Sequence, residues 1–128
     1  MFDALVVGIG GFVGCVFRYI LSKAADALMP EFPVGTLVVN SLASLLAGVA
    51  LAGASAGLLD ERVRLLASVG FCGGLSTFSA FSAETFAMLQ EREYLAASAN
   101  VALNVSVSLV CVAIGYWITS LCITHFAE

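Results

Sequence analysis

The sequence predicts an all-α integral membrane protein of four transmembrane helices, the third of them broken. Three observations carry this reading. Of 128 residues, 61% are hydrophobic and only 11% charged, where a soluble domain carries about a quarter charged residues. The charges sit in clusters that separate long uncharged runs. The third run contains a glycine-rich passage, and each glycine weakens a helix by about 1 kcal/mol relative to alanine. A span needs about 20 apolar residues, so four use roughly 80 and leave room for loops, whereas five or six leave almost none. The chain therefore reads as one four-helix transmembrane domain over residues 1–128. Its net charge of −4 offers no basic patch to phosphate, so no nucleic-acid partner is expected.

The first span covers about residues 3–21, between Asp3 and the polar stretch Ser22-Lys23-Ala24-Ala25-Asp26. Arg18 lies near its end. A loop over about 22–33 follows, with the breakers Pro30 and Pro33. The second span takes about 34–58, inside the uncharged run 34–59. Asp60-Glu61-Arg62-Val63-Arg64 turns the chain into a third span of about 63–90. Glu91-Arg92-Glu93 turns it into a fourth of about 94–123, long enough to tilt or protrude. No basic leader and no A-x-A-like cleavage site follow Met1, so no removable signal peptide is expected. Cys15, Cys72, Cys111 and Cys122 lie in apolar runs without a C-x-x-C pair. They read as small core residues rather than a disulfide framework. With His125 as the single histidine, no zinc set is visible.

Short loops rich in Lys and Arg stay cytoplasmic. Arg18, Lys23 and Arg92 fall on one side, Arg62 and Arg64 on the other. Three against two does not fix an orientation. Either one residue such as Arg18 decides it, or the chain inserts both ways and pairs antiparallel with itself.

Polar groups within spans are costly, which makes them functional candidates beside their other use as helix–helix contacts. Thr36, Asn40 and Ser44 repeat at i, i+4 and i+8 and share a face that Gly48 extends. Ser44 and Gly48 fit a packing seam. The Asn40 amide has two donors and needs a partner, and a permeating anion or water would serve. Asn100, Asn104 and Ser108 repeat the spacing in span four and read as a polar track facing a wet path. In span three, Gly70, Gly73 and Gly74 precede Ser76, Thr77 and Ser79. Such a break frees carbonyls for a cation or amides for an anion. Alternatively it is a small-residue crossing between close helices. Phe78 and Phe81 follow on one face, with electropositive ring edges that suit a small anion. Thr77 and Glu84 share a face with Phe81. Glu84 is either a cap at a pathway entrance or a helix-end residue. Arg18 either draws anions into a vestibule or snorkels to the interface.

Three segments resemble the motifs of the Fluc/CrcB fluoride channel family. Gly10-Gly11-Phe12-Val13-Gly14-Cys15-Val16-Phe17-Arg18-Tyr19 resembles G-G-x-x-G-A-x-x-R-Y. Gly35-Thr36-Leu37-Val38-Val39-Asn40 resembles G-T-L-x-V-N. Gly70 to Phe81 resembles G-x-x-G-G-x-T-T-F-S-T-F. The order and the four-span length also match, and span four matches mainly by its polar stripe. Cys15, Ala43, Ser76 and Ala80 depart from the usual residues; Ser76 keeps a carbonyl and a hydroxyl, whereas Ala80 loses a hydroxyl.

The resemblance implies an antiparallel, dual-topology homodimer with two pores in a cell inner membrane, passively exporting cytoplasmic fluoride. It implies a structural sodium ion held by the Gly73 and Ser76 backbone carbonyls of both subunits. The pore phenylalanines fall on Phe78 and Phe81, the pore asparagine on Asn40, the vestibule arginine on Arg18 and the pore-adjacent glutamate on Glu84. The polar track falls on Asn100, Asn104 and Ser108; Thr36, Thr77 and Ser79 complete the expected pathway. A small multidrug-resistance-type exporter, also four spans long, needs a carboxylate within span one, where this chain has only the terminal Asp3. No nucleophile–base pair of an enzyme is visible.

Overall fold

The computed structural model describes residues 1–29 and 32–126. Pro30 and Glu31 of the expected loop, and the last two residues, lie outside the described residues. The described residues form helices and turns, with no strand among them. Four helical segments are long and apolar enough to cross a membrane. Helix α1 is Phe2–Asp26 and α2 is Val34–Ser55. The third segment is composite. It begins with α3, Glu61–Arg64, passes into a π-helical stretch at Leu65–Cys72 and a short α4, Gly73–Leu75, and restarts as α5, Phe78–Gln90. The long α6 is Tyr94–Phe126.

The helix ends have local causes. Helix α1 continues past the expected end near residue 21 because Ser22 to Asp26 contain good helix formers and no breaker. Asp26 then accepts the Gly35 N–H at 2.8 Å and ties the start of α2 to the end of α1. Helix α2 stops at Ser55, before the expected 58, where Gly57 takes a positive φ of 69°. Asp60 caps α3 by accepting the Arg62 N–H.

The helices meet along glycine seams. A Cβ added at Gly14 would meet the Phe71 carbonyl, and one at Gly74 would lie 2.5 Å from the Gly11 carbonyl. The sequence left the glycines of span three as either a break or a close crossing, and both occur. The crossing is with α1 of the same chain. In a second seam, Gly48 of α2 faces the Val112 carbonyl of α6, and Gly115 of α6 faces the Leu45 carbonyl. The small apolar core of Val39, Ala43 and Leu75 sits between α2 and the break, packed by Leu21, Leu42, Leu46 and Phe71. Large apolar side chains such as Phe12, Leu109 and Trp117 point outward, as a lipid-facing surface requires.

Candidate functional site

The site is built on the break. Ser76 (φ −74°, ψ 157°) and Thr77 (φ −149°, ψ 110°) are extended between α4 and α5. Extended backbone inside a membrane protein must find other partners for its polar groups. Asn40 supplies them. Its Oδ1 accepts the Thr77 N–H at 2.7 Å, and its Nδ2 donates to the Thr77 carbonyl at 3.3 Å. Nδ2 also donates to Asn104 Oδ1 at 3.0 Å. The partner that the Asn40 amide required is therefore the protein itself, and both of its donors are engaged. Thr77 in turn caps α5, its hydroxyl accepting the Ala80 N–H at 3.2 Å.

Arg18 does not reach away from the bundle. Its Nη1 donates to the Ser76 carbonyl at 3.3 Å and its Nη2 to Cys15 Sγ at 3.5 Å. A guanidinium thus takes one of the carbonyls that the break frees.

Two cavities flank the break and share Thr77. The wider, about 580 Å³, opens between α1, α2 and α5 and is lined by Arg18, Ser22, Thr36, Ser79 and Glu84 among others. Thr36 is buried and its hydroxyl donates to Glu84 Oε1 at 2.5 Å. Glu84 Oε2 is buried without a hydrogen-bond partner among the described residues. The narrower, about 240 Å³, is lined by Asn40, Ser44, Phe78, Phe81, Asn104 and Ser108, together with Ser76, Thr77 and Val105. The two phenyl rings stand 5.5 Å apart at 52°. Ser44, which the sequence assigned to packing, belongs to this cavity; Gly48 alone keeps the seam.

The remaining expected residues divide. Asn104 is buried at the wall of the narrow cavity. Asn100 is fully buried and lines neither cavity; its Nδ2 donates to Thr85 Oγ1 at 3.0 Å, and its Oδ1 accepts from Asn104 at 2.9 Å. Sequence reasoning passed over Thr85. Its signal was a hydroxyl one turn beyond Phe81, whose carbonyl it bonds at 2.8 Å.

Of the carbonyls that the resemblance assigns to a sodium ion, that of Gly73 is released from its helical donor, whereas that of Ser76 already accepts from Arg18. Thr77 N–H, which a continuous helix would give to the Gly73 carbonyl, is turned to Asn40. Gly73 lies exposed, with nothing within 4 Å of an added Cβ. Carbonyl oxygens are the donor type that replaces the water of a hard cation. Among the described residues no group of three or more His, Cys, Asp and Glu side chains is placed to hold a metal.

Four apolar helices and polar cavities around a broken helix define a multi-pass membrane protein. A family model described as "CrcB-like protein, Camphor Resistance (CrcB)" matches residues 5–116, and the chain belongs to that family. It is 46% identical over 114 residues to the "Fluoride-specific ion channel FluC" of Escherichia coli O1:K1 / APEC, covering 88% of this chain and 90% of that one. It is 48% identical over 122 residues to the protein of that name from Thermococcus gammatolerans, covering 88% and 92%. A third relative of that name, from Pyrococcus furiosus, is 46% identical over 115 residues, covering 89% and 93%.

Proposed function

We propose that this chain is a fluoride-selective passive channel that exports cytoplasmic fluoride. In this reading two copies insert in opposite orientations in a cell inner membrane and form two pores, with a structural sodium ion between them. The observation that carries it is the pair of cavities joined at Thr77 in a chain close to 50% identical to relatives named fluoride-specific channels. Those relatives are ion channels by name, and nothing in the role proposed requires an enzyme.

Fluoride must exchange its water for protein donors. Arg18 attracts it into the wide cavity by charge. Ser79 stands at that cavity's wall beside Thr77. In the narrow cavity the Ser44 and Ser108 hydroxyls line the space and make no hydrogen bond among the described residues, so their donors are available. Phe78 and Phe81 offer ring edges. Asn40 contributes by holding the break, since its own donors are spent. Thr36 contributes by engaging Glu84 Oε1, an acceptor that would otherwise face the anion. Several moderate sites suit conduction better than one tight site.

A second copy is supported by what one copy leaves open. Phe78 is 79% exposed beside the narrow cavity. Gly73 is exposed in an adjoining hollow that shares Ser44 and Ser76. Two carbonyls from one chain are few for a cation; the Gly73 and Ser76 carbonyls of both copies would hold the sodium, the Ser76 oxygens giving up their bond to Arg18, and the ion would fix the dimer by neutralising oxygens that face one another.

The test is fluoride efflux from vesicles containing the purified chain, read by a fluoride electrode, with chloride as control. Fluoride efflux without chloride efflux is expected. Equal leakage of both, or none of either, would overturn the reading. A C-terminal tag labelled from one membrane face only would remove the antiparallel part of it.

A further inference from the structure

The interior asparagines do more than bond in pairs. Five hydrogen bonds run in one direction from the break to the second turn of α5. The Thr77 N–H donates to Asn40 Oδ1 at 2.7 Å, Asn40 Nδ2 to Asn104 Oδ1 at 3.0 Å, and Asn104 Nδ2 to Asn100 Oδ1 at 2.9 Å. Asn100 Nδ2 then donates to Thr85 Oγ1 at 3.0 Å, and the Thr85 hydroxyl to the Phe81 carbonyl at 2.8 Å. One end is a backbone N–H, which only donates; the other is a backbone carbonyl, which only accepts. Both ends belong to the third span, while the middle crosses α2 and α6. The chain of bonds is therefore a brace that ties the break to the helix that follows it. Its fixed ends leave each amide one orientation that satisfies all members.

The geometry points to Thr85 as a positioning residue, acting through Asn100 and Asn104, that sets the orientation of the Asn40 amide and so the shape of the break. Without the Thr85 hydroxyl, Asn100 Nδ2 has lost its acceptor in a fully buried place. Asn100 cannot recover by turning over alone, because that sets its donor against the Asn104 donor; the mismatch passes on only if Asn104, giving up its bond to the Asn100 carbonyl, and Asn40 turn in sequence. Asn40 would then offer Nδ2 to the Thr77 N–H, donor against donor, and the clamp on the break is lost. Networks of this kind couple their members beyond the sum of the pairs. The consequence for ion flux rests on the channel reading above, but the brace itself does not.

The test is nuclear magnetic resonance on the intact protein in micelles, joined to vesicle efflux. Thr85→Val keeps the shape and removes the hydroxyl; Thr85→Ser restores it. In Thr85→Val the side-chain amide signals of Asn40, Asn100 and Asn104 should all shift. Exchange of the Thr77 N–H with water should rise at least tenfold, and fluoride efflux should fall several-fold. Thr85→Ser should return all three to wild type. In an Asn40→Ala background, Thr85→Val should change Thr77 exchange no further. A shift confined to Asn100, with Thr77 exchange unaltered, would overturn the brace. If the wild-type chain conducts no fluoride while Thr77 exchange still answers to Thr85, the channel reading fails and the positioning role stands.

Discussion

The two cavities meet at one residue and differ in almost everything else. The wide one has Arg18, Asp26 and Glu84 in its walls and about 580 Å³ of space. The narrow one has no charged residue in its lining, two phenyl rings and about 240 Å³. Charge acts over several ångströms and across water, whereas ring edges and hydroxyls act by contact. In the channel proposed above, the wide side would gather an ion and the narrow side would test its size and its readiness to shed water. Between them stands the peptide of Thr77, held at both its N–H and its carbonyl by Asn40. The proposed division of labour between the sides depends on that clamp.

Asn40→Leu attacks the clamp and should have the largest effect. It leaves the Thr77 N–H and Asn104 Oδ1 without partners, each costing about 1–3 kcal/mol. A loss of about 2 kcal/mol in a rate barrier is roughly thirtyfold. Fluoride efflux should fall by that order, and thermal unfolding in detergent should move down. Efflux at the wild-type rate would show that the two cavities do not need the partition. Phe81→Ile attacks the narrow side alone. It removes a ring edge and keeps apolar volume, so the assembly should persist by size-exclusion chromatography. Efflux should drop about tenfold, as expected when an aromatic contact worth about 1 kcal/mol or somewhat more is lost. Unchanged efflux would take the ring out of the pathway.

The sequence made some of this comparison legible and concealed the rest. Clustered charges marked the spans, and the glycines at 70, 73 and 74 marked the break, because both depend on local composition. The face shared by Thr36, Asn40 and Ser44 follows from helical period alone. Which partner each of those side chains finds does not. Arg18 and Ser76 are 58 positions apart and are joined only by the crossing of α1 with the third span. The π-helical stretch at Leu65–Cys72 is apolar apart from Ser68, and apolarity does not distinguish its hydrogen-bond spacing from that of an α-helix. Asn100 had the right period for a pore wall, yet it turned inward to Thr85, because two asparagines one turn apart can satisfy each other as readily as they can satisfy an ion.

The smallest of the expected effects is the one that separates field from contact. Arg18→Gln removes the cation of the wide cavity and keeps a polar side chain. One unit charge a few ångströms from an ion in a wet space is worth about 1 kcal/mol or less, so efflux should fall only about threefold at low salt. The deficit should also shrink as salt rises, since the screening length drops from about 30 Å at 0.01 M to about 8 Å at 0.15 M. The Phe81→Ile deficit should be indifferent to salt, because a ring edge meets the ion by contact after its water has gone. Paired efflux measurements at those two ionic strengths therefore read the two cavities independently. An Arg18→Gln deficit that stays constant with salt would mean that the guanidinium serves the break through the Ser76 carbonyl. The wide cavity would then be a support for the narrow one, with no gathering role of its own.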